Sequence, residues 1–224
     1  GAKWNPKVKK WYADVPQKDY IKFAKWILRD TDDAIIATEY IFILEGQRQC
    51  WKCGQSTRVV GLGVGEYIHI FDVGDGPQYE LVEDYIDPGE ELHLAWTECE
   101  EDIPPKLRKY LKEKYSVKTG YSKTINGMSF ANHCDHCGAL QGNYFVFDEV
   151  DSPLTLFVEG DELAEQASKL KVFMIPIDDD LQLDWDVGFG SNDYAYFKYG
   201  QCEELMLSSD PENDYISYEE LYDL

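Results

Sequence analysis

Two short cysteine motifs carry the residues with the clearest chemistry in this chain. The segments CWKCG and CDHCG, at residues 50–54 and 134–138, each hold two cysteines separated by two residues and followed by a glycine. Zn²⁺ prefers thiolate ligands, and four of them complete a tetrahedral shell that leaves no position open for a substrate. The motifs therefore predict one structural zinc ion, held by Cys50, Cys53, Cys134 and Cys137.

The form of each motif suits a tight turn around a metal. Two residues between the cysteines let the turn direct both sulfur atoms at one point, and Gly54 and Gly138 allow the left-handed backbone that ends it. A lone C-x-x-C could instead be a redox pair, which is the alternative interpretation. Eighty residues separate Cys53 from Cys134, whereas compact zinc sites use about 15–20. We therefore expect a large insertion between the two halves of the site.

The four histidines are not needed to complete this ligand set. His133 precedes the second motif and His136 lies within it, and we expect them to be neighbours of the metal or exposed side chains. His69 and His93 lie in strand-like runs and are expected to be packed residues.

Regular elements must bring the two motifs together. Strands are predicted at 3–12 (two short ones), 59–64, 67–71, 92–96, 144–147, 154–158 and 172–177. For residues 31–48 the pattern leaves a helical or a mixed structure open, with TEYIFILE (38–45) as a candidate strand. Helices are predicted from Pro16 to about Leu28, from Pro104-Pro105 onward and at about 161–170. Asn126-Gly127 lies between YSKTI and MSFAN and predicts a hairpin with a two-residue turn. The pattern indicates an α+β fold with small mixed or antiparallel sheets.

The cysteine motifs and their flanks resemble a known zinc-binding architecture. Residues 50–54 and 134–147, the latter in the phrase NHCDHCGALQGNYF, resemble the two halves of a bacterial zinc ribbon. The resemblance implies a ribbon domain over 31–149 with an insertion at 61–124. Residues 150–224 would then form an acidic α+β region ending in an acidic, tyrosine-rich tail.

The N-terminal segment is basic and rich in tryptophan. GAKWNPKVKKWYADVPQKDYIKFAKWI resembles the short domain of unknown function found in TraC-type plasmid primases and other bacterial proteins. Members usually carry a strand and a Lys-rich helix before this point, so residues 1–30 would be an incomplete module. The resemblance implies a mobile-element or phage context and no reaction. Its tryptophans, Trp4, Trp11 and Trp26, predict a small core or, alternatively, a stacking platform for single-stranded nucleic acid.

Charge is distributed unevenly along the chain. The net charge is −22, yet residues 1–30 hold eight Lys or Arg against three Asp. The rest of the chain is so acidic that it repels a phosphate backbone, and only the N-terminal module is expected to contact nucleic acid. No apolar run is long enough to cross a membrane. The two C-x-x-C motifs, with Cys99 and Cys202 as single thiols, favour a reducing, cytoplasmic location.

The sequence offers no catalytic signature of the common kinds. It has no P-loop, no H-E-x-x-H and no G-x-S-x-G, and the acidic run DDDLQLDWD at 178–186 fails the calcium-loop pattern, so we expect a solvated loop there. We therefore expect a zinc-stabilised bacterial or phage accessory protein that binds a partner, most simply another protein. Two alternatives stay open: a nucleic-acid-processing accessory or enzyme of mobile elements, and an acidic inhibitor that mimics nucleic acid.

Overall fold

The computed structural model describes residues 2–7, 9–16, 19, 22–23, 26, 33–72, 79–82, 91–177 and 181–207. The strands are β1 Lys3–Asn5, β2 Lys10–Tyr12, β3 Asp33–Ala37, β4 Tyr40–Gln49, β5 Ser56–Val64, β6 Tyr67–Asp72, β7 Tyr79–Val82, β8 His93–Trp96, β9 Lys118–Ser122, β10 Gly127–Ala131, β11 Lys171–Pro176, β12 Leu181–Leu183, β13 Asp186–Val187 and β14 Gln201–Glu204. The helices are α1 Pro105–Tyr115, α2 Gly160–Ala167 and α3 Tyr194–Tyr199.

A six-stranded sheet in the order β13-β8-β5-β4-β11-β14 forms the centre of the molecule. Adjacent strands in this sheet are antiparallel, except for β11 and β14, which run parallel to each other. The central pair β4–β5 is in register from Ile41↔Val64 to Gln49↔Ser56. Ile41 to Leu44 are all buried although successive side chains point to opposite faces, so this part of the sheet is covered on both sides.

Smaller antiparallel units complete the sheet structure. A four-stranded sheet has the order β12-β3-β6-β7, and β1–β2 and β9–β10 are separate two-stranded units. The fold is thus mixed α+β with mostly antiparallel sheets and few helices, as the sequence predicts.

The helices cover the central sheet with short apolar faces. Helix α1 begins with Pro105 in its first turn, where the missing N–H is not needed, and buries Leu107, Leu111 and Tyr115. It ends at Ser116, whose backbone is left-handed with φ 57°. These side chains join one continuous core with those of β4, β5, β8 and β11.

Two predicted strands are absent, for different reasons. Residues 144–147 form part of a π-helical turn, Tyr144–Asp148, which buries the neighbouring side chains of Val146 and Phe147. Residues 154–158 alternate in burial like a strand, but their carbonyl groups accept hydrogen bonds from side chains and not from a neighbouring strand. The Tyr196 hydroxyl donates to Leu154 O, and the Asn192 amide donates to the carbonyls of Leu156 and Val158.

Two further predictions need correction. The hairpin β9–β10 exists, but Ser122 pairs with Gly127, so its loop has four residues and Gly127 begins β10. Only Asn126 in that loop has a positive φ, 53°. The acidic run at 178–186 is also more than a solvated loop, because Leu181, Leu183 and Trp185 are buried and β12 lies within it.

Some predictions fall outside the described residues. These are most of the helix predicted for 16–28 and the tail at 208–224. The domain division stays a prediction, and strands from both sides of residue 150 share the six-stranded sheet. None of the helices in the described residues is long and apolar enough to cross a bilayer.

Candidate metal centre

Two loops at the ends of hairpin-like segments carry the four cysteines. The first knuckle, residues 50–55, is the loop that joins β4 to β5, whose last pair is Gln49↔Ser56. The second knuckle, residues 134–139, follows β10 and is closed by an antiparallel bridge between His133 and Leu140. Each knuckle is therefore held at its base by backbone pairing before any metal is considered.

The two knuckles share the same backbone hydrogen bonds. In the first, Cys50 N donates to Gln55 O and Gly54 N donates to Cys50 O, both at 2.9 Å. In the second, Cys134 N donates to Ala139 O and Gly138 N donates to Cys134 O, also at 2.9 Å. Gly54 and Gly138 have φ of +70° and +67°, as the motif predicts. The left-handed backbone, and not a lack of space, is the reason for glycine, since no atom lies within 4 Å of a Cβ built at either position.

The four sulfur atoms form one cluster. All lie within 4.8 Å of one another, and the separations between knuckles are 3.7 Å for Cys50 to Cys137 and 3.8 Å for Cys53 to Cys134. A tetrahedron with Zn–S bonds of about 2.3 Å has sulfur atoms about 3.8 Å apart. A disulfide would need about 2.05 Å, and all four cysteines are free thiols. The donor set and its spacing thus fit one tetrahedral metal ion such as Zn²⁺.

Hydrogen bonds support two of the sulfur atoms from the protein side. Cys50 and Cys134 are each only 2% exposed, whereas the second cysteine of each knuckle lies closer to the surface. The Gln141 amide donates to Cys50 Sγ at 3.5 Å, and His136 N donates to Cys134 Sγ at 3.4 Å. Donors of this kind orient ligands and stabilise thiolate charge.

The knuckle backbone also favours ionisation of the inner thiols. Burial opposes ionisation of Cys50, but the N–H groups of Cys53 and Lys52 outweigh it and lower the pKa of this thiol to about 6. Burial likewise opposes ionisation of Cys134, and N–H groups again lower its pKa. At Cys53 the Gln55 N–H favours the thiolate, but burial and the neighbouring sulfurs raise the pKa to about 11. Four thiolates together therefore need a cation between them.

A buried asparagine connects the second knuckle to the central sheet. Asn132 is fully buried, and its amide makes two bonds to one residue of β5: Val60 N donates to Oδ1 at 2.8 Å, and Nδ2 donates to Val60 O at 2.9 Å. Its own carbonyl accepts from Gln141 N at 2.8 Å. The side chain thus replaces a strand partner for Val60 two residues before Cys134.

An arginine makes a second connection. The guanidinium of Arg58 on β5 donates to both carboxylate oxygens of Asp135, at 3.0 and 3.3 Å, and to Lys114 O at 3.0 Å. It lies 5.2 Å from the centre of the Tyr115 ring, and Asp135 raises its pKa. The Tyr115 hydroxyl donates to buried Glu45, so the second knuckle is joined through β5 to helix α1 and strand β4.

Two knuckle side chains reach across to the residue that directly follows the other knuckle. The Trp51 indole N–H donates to Leu140 O at 2.8 Å, which fixes the ring while leaving the residue 70% exposed. His136 Nε2 lies 2.9 Å from Ser56 O, so this exposed histidine bridges the two halves. The sequence pattern locates the cysteines but gives no signal for these bridges, for Asn132 or for Arg58.

The other predicted residues lie apart from the cluster. Among the described residues, the four cysteines are the one group spaced to hold a metal. His93 is 2% exposed with Nδ1 2.7 Å from Asp193 Oδ2, so it is packed as expected. His133 precedes the second knuckle but is buried, with Nδ1 3.0 Å from Ala131 O, so it is not an exposed side chain. Cys99 and Cys202 are free and exposed. Trp4 and Trp11 pack edge to face with ring centroids 5.6 Å apart, but Trp4, Trp11 and Trp26 are exposed by 48, 69 and 63%, so they do not form a buried core.

Replacing either knuckle glycine tests the backbone requirement. Gly54→Ala and Gly138→Ala should each lower the free energy of unfolding by about 1 kcal/mol, because an L-residue is strained at these positive φ values. Denaturant unfolding of the zinc-loaded protein measures the change. Gly127→Ala is the matched control, since its added Cβ meets ordinary contacts at 3.9 Å or more. Equal stability of Gly54→Ala and Gly127→Ala would show that the left-handed turn is not required.

Comparisons with known proteins were negative. No family model matches the chain, and neither the curated proteins nor the solved structures include a significant match.

Proposed function

We propose that this chain is a zinc-stabilised accessory protein of a bacterium or phage that acts by binding a partner macromolecule. The observation that carries the proposal is the cluster of four thiols at tetrahedral spacing. Four thiolates fill the coordination shell of zinc and leave no position for a substrate, so the ion stabilises structure and takes no part in chemistry. The two knuckles act as halves of a zinc ribbon with the long insertion between them.

Two observations support the cellular setting. The resemblance of residues 1–28 to the module of TraC-type primases supports a mobile-element or phage context. Six free thiols support a reducing, cytoplasmic location, because such thiols are kept reduced there.

A protein is the partner class that the knuckle surface fits best. Trp51 is a large ring that is held in one orientation and 70% exposed, and Tyr144 and Phe145 are exposed nearby in the chain that follows Leu140. Tryptophan, tyrosine and arginine dominate binding energy at protein interfaces, and a ring that is already ordered loses little entropy on binding. The zinc ion thus serves to hold the knuckle that presents this exposed, ordered ring.

A second candidate, an inhibitor that binds a basic protein, has one observation in its favour. A cleft of about 500 Å³ opens beside the turn that follows β8. Six carboxylates line it, those of Glu98, Glu100, Glu101, Asp102, Asp184 and Asp186. Such a cleft attracts lysine and arginine side chains, and salt would weaken the attraction.

Affinity capture with single-site variants tests both candidates. The zinc-loaded chain is used to retain proteins from a bacterial lysate, with Trp51→Ala and Phe157→Ala compared with the parent by mass spectrometry. Loss of Trp51 should reduce one discrete retained protein about tenfold or more, since buried tryptophans are interface hot spots. Phe157, 56% exposed, is the control and should change retention by less than about twofold.

The same experiment separates the candidates. Retention of a basic protein that is released by salt and unaffected by Trp51→Ala would favour the acidic cleft over the knuckle surface. Retention of nothing above the background of the matrix would contradict both.

A further inference from the structure

The N-terminal hairpin presents lysines at its tip. Strands β1 and β2 pair as Lys3↔Tyr12, Trp4↔Trp11 and Asn5↔Lys10. Lys7 N donates to Asn5 Oδ1 at 3.0 Å, which closes the turn locally, and Lys9 has a left-handed backbone with φ 54°. Lys7 and Lys9 are exposed beside the strand ends.

One face of the same hairpin is aromatic. Trp4 and Trp11 are directly opposite, so their side chains share a face, and their rings meet edge to face with centroids 5.6 Å apart. They are 48% and 69% exposed, so their ring surface is open to a ligand. Tyr12, 49% exposed, adds a ring on the opposite face. A hairpin with a cationic tip and an open aromatic face is suited to a ligand that carries both negative charge and flat rings.

The distribution of charge along the chain restricts a negatively charged ligand to the N-terminal hairpin. Residues 1–30 carry net charge +5, from eight Lys or Arg and three Asp, whereas residues 31–224 carry −27, from 13 Lys or Arg and 40 Asp or Glu. The body repels polyanions, so a phosphate chain is attracted at the N-terminal hairpin and has a short footprint there.

We propose that the β1–β2 hairpin binds single-stranded nucleic acid, with bases stacked on Trp4 and Trp11 and phosphates held by the lysines of the tip. Unpaired bases offer free faces for stacking, whereas a duplex keeps its bases stacked on each other. An acidic peptide would satisfy the lysines but not two exposed indole rings. The hairpin shares no residue with the metal centre, so the inference goes beyond the proposed function and does not depend on it.

Fluorescence anisotropy of a labelled dT oligonucleotide of about 12 nucleotides tests the proposal on the full chain. The double variant Trp4→Ala/Trp11→Ala should weaken binding about tenfold or more, since each base–aromatic stack contributes about five- to 150-fold. Lys7→Glu/Lys9→Glu keeps the tryptophan pair, so it tests the surface even if loss of both rings unfolds the hairpin. It should weaken binding about tenfold. The slope of log K against log salt concentration should become shallower by about 1.4, because each of the two lysines no longer neutralises one phosphate of the single strand.

A matched control separates local from overall charge. Lys123→Glu/Lys169→Glu makes the same change in net charge on exposed lysines outside the hairpin and should alter affinity by less than about twofold. Duplex DNA should bind more weakly than the single strand. The proposal is overturned if the parent protein binds no oligonucleotide at low salt, if both lysine variants lose affinity equally, or if poly-glutamate displaces the oligonucleotide as well as poly-dT does.

Discussion

Cys134→Ser is expected to lower the melting temperature by about 10–15 °C, the largest effect of any substitution considered. Loss of a structural metal ligand belongs to the changes that destabilise by about 4–5 kcal/mol, and in a chain of this size each kcal/mol shifts the midpoint by about 2–4 °C. Cys134 is 2% exposed and lies 3.8 Å from Cys53 Sγ, so a hydroxyl there leaves three thiolates around an incomplete site. Thermal unfolding followed by circular dichroism measures the shift.

The chain supplies its own control for this substitution. Cys99→Ser and Cys202→Ser make the same chemical change at exposed thiols outside the cluster and should shift the midpoint by less than about 2 °C. A strong chelator should move the parent protein toward the midpoint of Cys134→Ser and leave that variant nearly unchanged. If Cys134→Ser melts with the two controls, the cluster does not stabilise the fold.

Asn132→Ala should have the second largest effect, a loss of about 3 kcal/mol in the free energy of unfolding. The truncation removes both bonds to Val60 and leaves a buried backbone N–H and C=O without partners, each costing about 1–3 kcal/mol. Denaturant unfolding at saturating zinc measures the loss, so that weaker metal binding does not add to it.

Asn132→Asp refines the interpretation. Aspartate has nearly the same size and can accept from Val60 N, but it cannot donate to Val60 O and places a charge where no surface is exposed. We expect it to be at least as destabilising as alanine at neutral pH. An Asn132→Ala protein within about 0.5 kcal/mol of the parent would mean that the amide bridge adds nothing to stability.

The cysteine knuckles could be predicted because the form of each one is set by local residues. Each knuckle closes on itself through bonds within five residues, and its glycine is required by a backbone angle that the motif itself imposes. The strand before the first knuckle is less well determined by sequence, because the pattern of residues 31–48 leaves helix and strand open and TEYIFILE is only a candidate strand; residues 40–45 of it lie in β4.

Contacts between distant residues could not be predicted. Asn132 and Val60 are 72 residues apart, and an asparagine before a knuckle gives no sign that its amide will complete a strand. The order of the six-stranded sheet has the same origin, because β11 pairs with β4, and β14 with β11, through contacts that no local pattern encodes.

The missed elements show where burial periodicity misleads. Leu154 and Leu156 alternate in burial, yet Tyr196 and Asn192 take the carbonyl groups that a strand would pair. Val146 and Phe147 are adjacent and both buried, which a π-helical turn allows and which resembles a buried strand in sequence. The pattern of apolar residues indicates which side chains are buried, but it does not indicate which groups form hydrogen bonds with their backbone.

Zinc content and coordination of the purified, reduced protein test the central claim most directly. Elemental analysis combined with X-ray absorption at the zinc edge should find one zinc per chain, surrounded by four sulfur atoms at about 2.3 Å. Protein prepared from zinc-replete cells that contains no zinc, or zinc bound mainly by nitrogen or oxygen, would contradict the account.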